Sequence, residues 1–253
     1  MARVAWLSIA PVKGLALTHP GEIELGPDGV DDNRRFCLVD EEGRRYGALR
    51  DGRLQAIGVA WDGARLELRF PDGAVASGDV ERGGELATDL YERDLLGRVV
   101  EGPWAEALTA YVGRPIRLLE AEGATRSVDR PRGPVTILSE ASLAELARRA
   151  GVERVDGRRF RMLIGIDGSE PHEEDAWLGR EVRVGGAVVR PLEQVARCAI
   201  TTQDPDTGIP DFDTLGEIIG YRGLRNSKHA DFGVFGEVVR PGRVRVGDEV
   251  EPL

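Results

Sequence analysis

Short β-prone runs recur along this chain at close spacing, each cut off by glycine, proline or aspartate. This punctuation constrains the fold more than any other feature. Residues 4–9, 35–39, 56–61, 65–70 and 116–119 are such runs. Asp62-Gly63 separates two of them with an Asp-Gly hairpin signal. Residues 181–184 and 187–190 flank Gly185-Gly186 as a second hairpin, whose arms alternate apolar and charged side chains in places, and residues 244–250 read the same way. Evenly spaced short strands favour a barrel or sandwich over a parallel βαβ sheet. Helical periodicity is confined to three segments. Residues 139–150 carry Leu143, Leu146, Ala147 and Ala150 on one face, with Ser142 and Glu145 spaced as a capping box and Gly151 placed to end the helix. Residues 103–112 end at Gly113, and residues 214–221 form a short third helix.

The 253 residues suffice for one large β-domain or two smaller ones. Residues 71–94 mix Gly, Glu, Arg and Asp with weak periodicity, so the boundary is expected there. This gives a β-domain over residues 1–85 and a strand-dominated domain over residues 86–253. The net charge of −10 argues against nucleic acid or a membrane surface as partner, because both demand basic protein. The opening apolar run is broken at Ser8 and Pro11, too short for a signal peptide or a membrane span, so a cytoplasmic location is expected. Two cysteines, Cys37 and Cys198, are too few for a disulfide scaffold or an iron–sulfur cluster, and His19, His172 and His229 lack zinc spacing.

Cys37 sits inside an apolar strand and reads as core. Cys198 differs: it lies in Arg197-Cys198-Ala199-Ile200-Thr201-Thr202-Gln203-Asp204-Pro205-Asp206-Thr207-Gly208, where a thiol is followed at once by a rigid polar turn. A lone cysteine is more often a small buried hydrophobe, but the run around this one resembles the metal-ligand segment of MOSC domains, the family of the molybdenum cofactor sulfurase C-terminal domain. The resemblance is strongest to the branch containing the mitochondrial amidoxime-reducing component and its bacterial relatives.

That resemblance implies a mainly β fold, with an N-terminal β-barrel domain joined to a MOSC β-barrel domain carrying two or three helices. It implies a molybdenum cofactor, in which the metal is held by a pterin dithiolene with Cys198 as the added thiolate and catalytic residue; a soft sulfur donor suits such a metal. Arg197 beside it is a cation of the kind that favours thiolate. Thr201, Thr202 and Asp204 either touch the cofactor or cap the turn through side-chain to backbone bonds. The pterin phosphate requires fixed cations. Lys13 within Pro11-Val12-Lys13-Gly14 resembles the lysine of the family's Pro-Val-Lys-Ser segment, with Gly14 replacing serine. Arg34 matches the arginine of the Asp-Arg-x-Phe element, with Asn33 in the aspartate's place. Arg161 follows Phe160 as in Phe-Arg-Pro-Asn, with Met162 and Leu163 departing from it. Ser139, in Leu138-Ser139-Glu140-Ala141-Ser142-Leu143, stands at a helix N-terminus suited to a phosphate.

The function this implies is a molybdenum-dependent oxidoreductase reducing small N-hydroxylated or related N-oxygenated substrates. Within these 253 residues neither the pyridoxal-phosphate domain of a full sulfurase nor a fused ferredoxin is expected. The sequence also lacks a Gly-x-Gly-x-x-Gly dinucleotide site, so electrons are expected from an external donor, a ferredoxin or flavoprotein. The basic loop at residues 126–132 is the expected docking place. Two other readings stand: a cofactor carrier or sulfur-transfer module with a persulfide on Cys198, and a barrel interaction module that has lost the cofactor.

Overall fold

A computed structural model describes residues 1–89, 94–122 and 133–253. In chain order the elements are β1 (Ala2–Leu7), β2 (Glu22–Leu25), β3 (Phe36–Asp40), β4 (Arg45–Tyr46), β5 (Gly58–Trp61), β6 (Arg65–Arg69), β7 (Val75–Asp79), β8 (Glu81–Asp89), β9 (Asp94–Glu101), α1 (Trp104–Val112) and β10 (Ile116–Ala121). They continue with β11 (Val135–Ser139), α2 (Glu140–Ala150), β12 (Ile164–Asp167), β13 (Val182–Val184), β14 (Ala187–Ala196), α3 (Thr214–Arg222), β15 (Asp231–Arg240), β16 (Gly242–Arg245) and β17 (Glu249–Pro252). The chain is mainly β, as the punctuation predicts.

Seven strands close a barrel in the order β1-β12-β11-β15-β14-β13-β17, so the first strand of the chain belongs to it. Val4, Leu7, Ile137, Ile164, Ile166, Val182, Val189 and Val234 fill its interior. At about 1.5–3 kcal/mol for each fully buried aliphatic side chain, this layer is a main source of stability. The β13–β14 hairpin turns at Gly185-Gly186, with Val184 opposite Ala187 and Gly185 at φ +56°, a conformation that side chains resist. One pair departs from the antiparallel expectation: β11 and β12 run parallel, joined by a crossover that contains α2. Gly165 makes room for the indole of Trp6, since a Cβ there would lie 2.0 Å from the ring.

A five-stranded sheet, β4-β3-β10-β9-β8, and a three-stranded sheet, β5-β6-β7, share a second core of Phe36, Leu38, Leu54, Leu66, Trp104 and Leu118. β9 and β10 therefore pack with β3, and β2 pairs with β16 next to the barrel. Residues 71–94, read from composition as a connecting stretch, hold β7 and β8. Their charged residues sit in exposed strand positions and Gly78 and Gly83 in half-buried ones, where side chains would otherwise mark the period, which weakens the periodic signal. The tail is two strands rather than one, because Arg245 to Asp248 forms a turn closed by Asp248 N donating to Arg245 O at 3.1 Å.

All three helices form where periodicity places them. Gly113 and Gly151 end α1 and α2 in the left-handed conformation, at φ 83° and 67°. The predicted Ser142–Glu145 capping box does not form. Ser139 is the N-cap of α2, its Oγ accepting from Ser142 N at 3.1 Å, and Glu145 binds Arg148 and Arg149 one turn on. The apolar face begins at Leu143, four residues after Ser139, so the Ser142–Glu145 spacing imitates a capping box inside the first turn of a helix that starts at Ser139.

Candidate functional site

β14 ends at Ala196, and the chain then turns through Arg197 and Cys198 into a single 3-10 turn, Ala199–Thr202. Cys198 caps that turn in extended backbone conformation with its thiol side exposed. Its carbonyl accepts from both Thr201 N (3.1 Å) and Thr201 Oγ1 (3.0 Å), so the backbone of this exposed residue is fixed. In front of it opens a cavity of about 330 Å³ between the barrel and the β3–β4 region.

The electrostatics of this cleft contrast with those of the whole protein. Lys13, Arg34, Arg45, Arg50, Arg159, Arg161 and Arg197 line it, and no Asp or Glu does so among the described residues. In a chain of net charge −10 this is a local concentration of cations, of which Arg50 is paired with Asp40 and Arg159 with Asp211 behind the lining. Arg34 and Arg161 carry further information. Both have left-handed backbones, at φ 56° and 52°, although neither is a glycine. Such strain persists where neighbours over-determine it. Here Arg34 Nη2 donates to the carbonyl of Arg161 at 2.9 Å, and Arg161 Nη2 donates to Leu15 O at 2.7 Å. Arg34 N also donates to Ala10 O at 2.7 Å, while the buried Asn33 Oδ1 accepts from Ala10 N at 3.0 Å. An asparagine performs this acceptor role as an aspartate does. Gly14 sits at φ +93° against Ala48, where any side chain is strained. Leu163 belongs to the barrel core.

Arg197 lines the cleft but is also tied inward. Its Nε donates to Phe232 O at 2.7 Å, Nη1 to Phe160 O at 3.1 Å, and the guanidinium lies 5.2 Å over the Phe160 ring. Thr201 lines the cleft; Thr202 and Asp204 do not. Thr202 Oγ1 donates to Ala199 O at 2.7 Å. Asp204 accepts from Asp206 N, Thr207 N and Thr207 Oγ1 at 2.8–3.1 Å. Desolvation raises its pKa, but these hydrogen bonds outweigh that and leave the carboxyl below the ordinary value. The Asp204–Gly208 turn is thus self-braced, and Arg158 clamps it from outside through Asp206 at 2.7 and 2.8 Å.

Ser139 lies away from the cleft lining. It is fully buried and caps α2, within a cluster of Ser142, Glu174, His172 and Tyr221. Lys13, Arg34, Arg161, Arg197, Cys198 and Thr201 are therefore brought together, whereas Ser139, Thr202 and Asp204 are not. Cys37 is 1% exposed and borders the same cleft from β3; burial pushes its thiol up to about 12. The loop at residues 126–132 lies outside the described residues. Among the described residues there is no cluster of three His, Cys, Asp or Glu side chains able to hold a metal ion.

The sequence reading missed Arg45, Tyr46, Thr136, Arg159 and Phe235 in the lining. It also missed a buried amide pair beneath it, where Gln55 Nε2 donates to Gln203 Oε1 at 2.7 Å. Most of these sit in short strands or turns whose sequence carries no motif. Only their convergence in space identifies them.

Comparison with known proteins agrees with the Cys198 segment. Residues 1–114 match the model for the MOSC N-terminal beta barrel domain, and residues 124–251 match that for the MOSC domain. The chain is 39% identical to mouse mitochondrial amidoxime-reducing component 1, over 98% of this chain and 81% of that protein. To the human protein of that name it is 28% identical, over 98% and 82%. The YUAD protein from Bacillus subtilis superposes over 99% of this chain and 94% of its own at a TM-score of 0.47, with 14% identity. With its one exposed cysteine set in a basic cleft and both halves matched, the chain belongs to the MOSC-domain family.

Proposed function

We propose that this protein is a molybdenum-cofactor oxidoreductase of the cytoplasm that reduces N-hydroxylated or related N-oxygenated compounds, using electrons from a separate ferredoxin or flavoprotein. The observation that carries the reading is the cleft: an exposed thiol beside a wall of cations without a lining carboxylate, inside an acidic protein. The residues present fit a pterin phosphate and a thiophilic metal. Lys13, Arg34 and Arg161 hold the phosphate, as planar guanidinium groups and a point charge do. Cys198 supplies the one protein sulfur. When bound, the cofactor supplies the two-electron chemistry that removes oxygen from the substrate.

The chain's own work is positional. The doubly bonded carbonyl of Cys198 holds the thiol at the cavity edge. The Arg34 guanidinium is held on the Arg161 carbonyl and the Arg161 guanidinium on Leu15 O before anything binds, so little ordering cost falls on the ligand. Phe160, Met162, Ile200 and Phe235 give the cavity an apolar side that limits water around the reacting N–O bond. That bond breaks with two electrons from the donor and two protons, and its oxygen leaves as water.

The names of the relatives support the N-reductive part of the reading. The test is metal and pterin analysis of protein made in a cofactor-competent host, followed by turnover of an amidoxime with dithionite-reduced viologen. About one molybdenum per chain with turnover is expected, and none with NADH or NADPH alone. Protein that sheds its pterin readily and turns over no N-oxygenated compound is instead a carrier or a sulfur-transfer module with a persulfide on Cys198.

A further inference from the structure

The buried amide pair beneath the cleft is unusual in what it connects. Gln55 lies in the 3-10 turn Gly52–Ala56 at 2% exposure, and Gln203 closes the Cys198 turn at 9%. They are 148 positions apart in sequence. Gln203 Nε2 donates to Ala48 O at 3.1 Å, and Arg161 Nη1 reaches Gln55 Oε1 at 3.5 Å. The bonds run in one direction: guanidinium to Gln55, Gln55 to Gln203, Gln203 to the Ala48 carbonyl. Flipping either amide sets N–H against N–H, so the network allows one orientation of each.

Every end of this relay is part of the cleft. Arg161 is one of its strained cations. Ala48 abuts Gly14, the neighbour of Lys13, at 3.4 Å from the position of a Cβ. Gln203 N donates to Ile200 O, and Thr201 N to Cys198 O, so the backbone that carries the amide is closed onto the backbone that carries the thiol. The two backbones beside the relay touch. A Cβ on Gly208 would lie 1.8 Å from Gly52 O, and one on Gly52 would lie 2.0 Å from Gly208 O.

We propose that the Gln55–Gln203 pair is a positioning element that sets the distance between the Cys198 thiol and the cations Arg161 and Lys13, and so the span of cofactor the cleft accepts. This rests on the cofactor reading above. An apolar pair of similar size would fill the same space and satisfy the same packing, but would give Arg161 no acceptor and Ala48 no donor. The double variant leaves neither glutamine amide unpaired, so its stability cost is confined to the one partner lost by Ala48 O and by Arg161, and its melting curve read beside the two rates separates positioning from folding.

The experiment compares wild type, Gln203→Leu and the double variant Q55L/Q203L. Two readouts are used: the iodoacetamide alkylation rate of Cys198 in cofactor-free protein, and the rate of pterin release from loaded protein. Cys37 is buried, so alkylation reports Cys198. In the folded double variant, alkylation of the exposed thiol is expected to change by at least about threefold as its spacing from the cations alters, and pterin release to quicken by about tenfold, as for other residues that orient a ligand set. If Gln203→Leu alone fails to fold, the double variant decides. A double variant that melts like wild type with both rates unchanged overturns the proposal; one that melts lower with both rates unchanged also overturns it, reducing the pair to packing. If wild type binds no pterin, the cofactor reading fails by itself, and the alkylation arm still decides whether the pair positions the thiol.

Discussion

The Cys198 segment and the Ser139 segment both match family motifs over several residues, and the structure gives them different settings. Cys198 stands exposed at a cavity, its backbone pinned and its side chain turned to a basic recess. Ser139 is fully buried, its Oγ bonded to the N–H and hydroxyl of Ser142, and its N–H donating to Glu174 at 3.2 Å. A motif match therefore marks a fixed local structure, not a ligand contact. What separates the two is whether the polar atom's bonding capacity is already satisfied within the protein.

Removing each side chain is the sharpest way to break this contrast. Cys198→Ala is expected to lower N-reductive turnover by more than about 100-fold, since loss of residues that merely orient ligands can reach that range. Its melting temperature should match wild type, because an exposed side chain contributes little packing. An active Cys198→Ala enzyme would falsify the thiolate assignment. Gly208→Ala comes next in size. It places a methyl group against Gly52 O at φ +71°, so it should cost more than about 1 kcal/mol and loosen the docked turn. Urea melts and Cys198 alkylation measure both effects, and a neutral result removes the Gly52–Gly208 contact from the account.

Ser139→Ala should behave as the loss of a helix cap, costing about 1–2 kcal/mol while pterin content per folded chain stays at the wild-type level. A selective loss of pterin at unchanged stability would return Ser139 to the site and erase the contrast.

Much of the fold was legible because its signals are local. The Gly185-Gly186 hairpin, the stops at Gly113 and Gly151, and the three helices each follow from a few adjacent residues. The β7–β8 region was not, because its exposed charges and its strand glycines together imitate a linker. Closure of the barrel by β1 against β12 and β17 was also hidden, since it joins the two ends of the chain. At the site, Lys13, Arg34, Arg161 and Cys198 were found by motif, and each lines the cleft. Gln55 and Arg45 carry no motif, and Gln203 stands inside the Cys198 run without a role the run itself reveals; their roles exist only through contacts across more than 100 positions or between short strands.

The Ser139 cluster makes its own pH prediction. Burial raises the Glu174 carboxyl above its ordinary 4.5, with Oε2 lacking a partner. A raised carboxyl binds its proton more tightly when folded, so its contribution is present below the unfolded pKa and is lost as pH rises through the folded one. His172 acts oppositely: burial, then Arg222, depress it to about 4, so its contribution is lost as pH falls from 6.5 toward that value. Comparing wild type with Glu174→Gln cancels the histidine. Glu174→Gln should gain stability relative to wild type between pH 4.5 and 8, read from urea midpoints. A gap that is constant with pH shows Glu174 to be charged and compensated.

The smallest effect is expected on the outside of the Cys198 turn. Arg158 grips Asp206 through two bonds, but Asp206 is 66% exposed and Arg158 38%. Exposed ion pairs contribute about 0–1 kcal/mol, and less in salt. The turn inside that grip is already braced by three bonds to Asp204. Arg158→Ala should therefore leave alkylation of Cys198 within about twofold of wild type and lower stability by less than about 1 kcal/mol, a difference that shrinks further at high salt. A large rise in alkylation would mean that the turn is held from its exposed rim and not from the buried amide pair beneath it. The contrast between the two segments would then lie in surface electrostatics and not in burial.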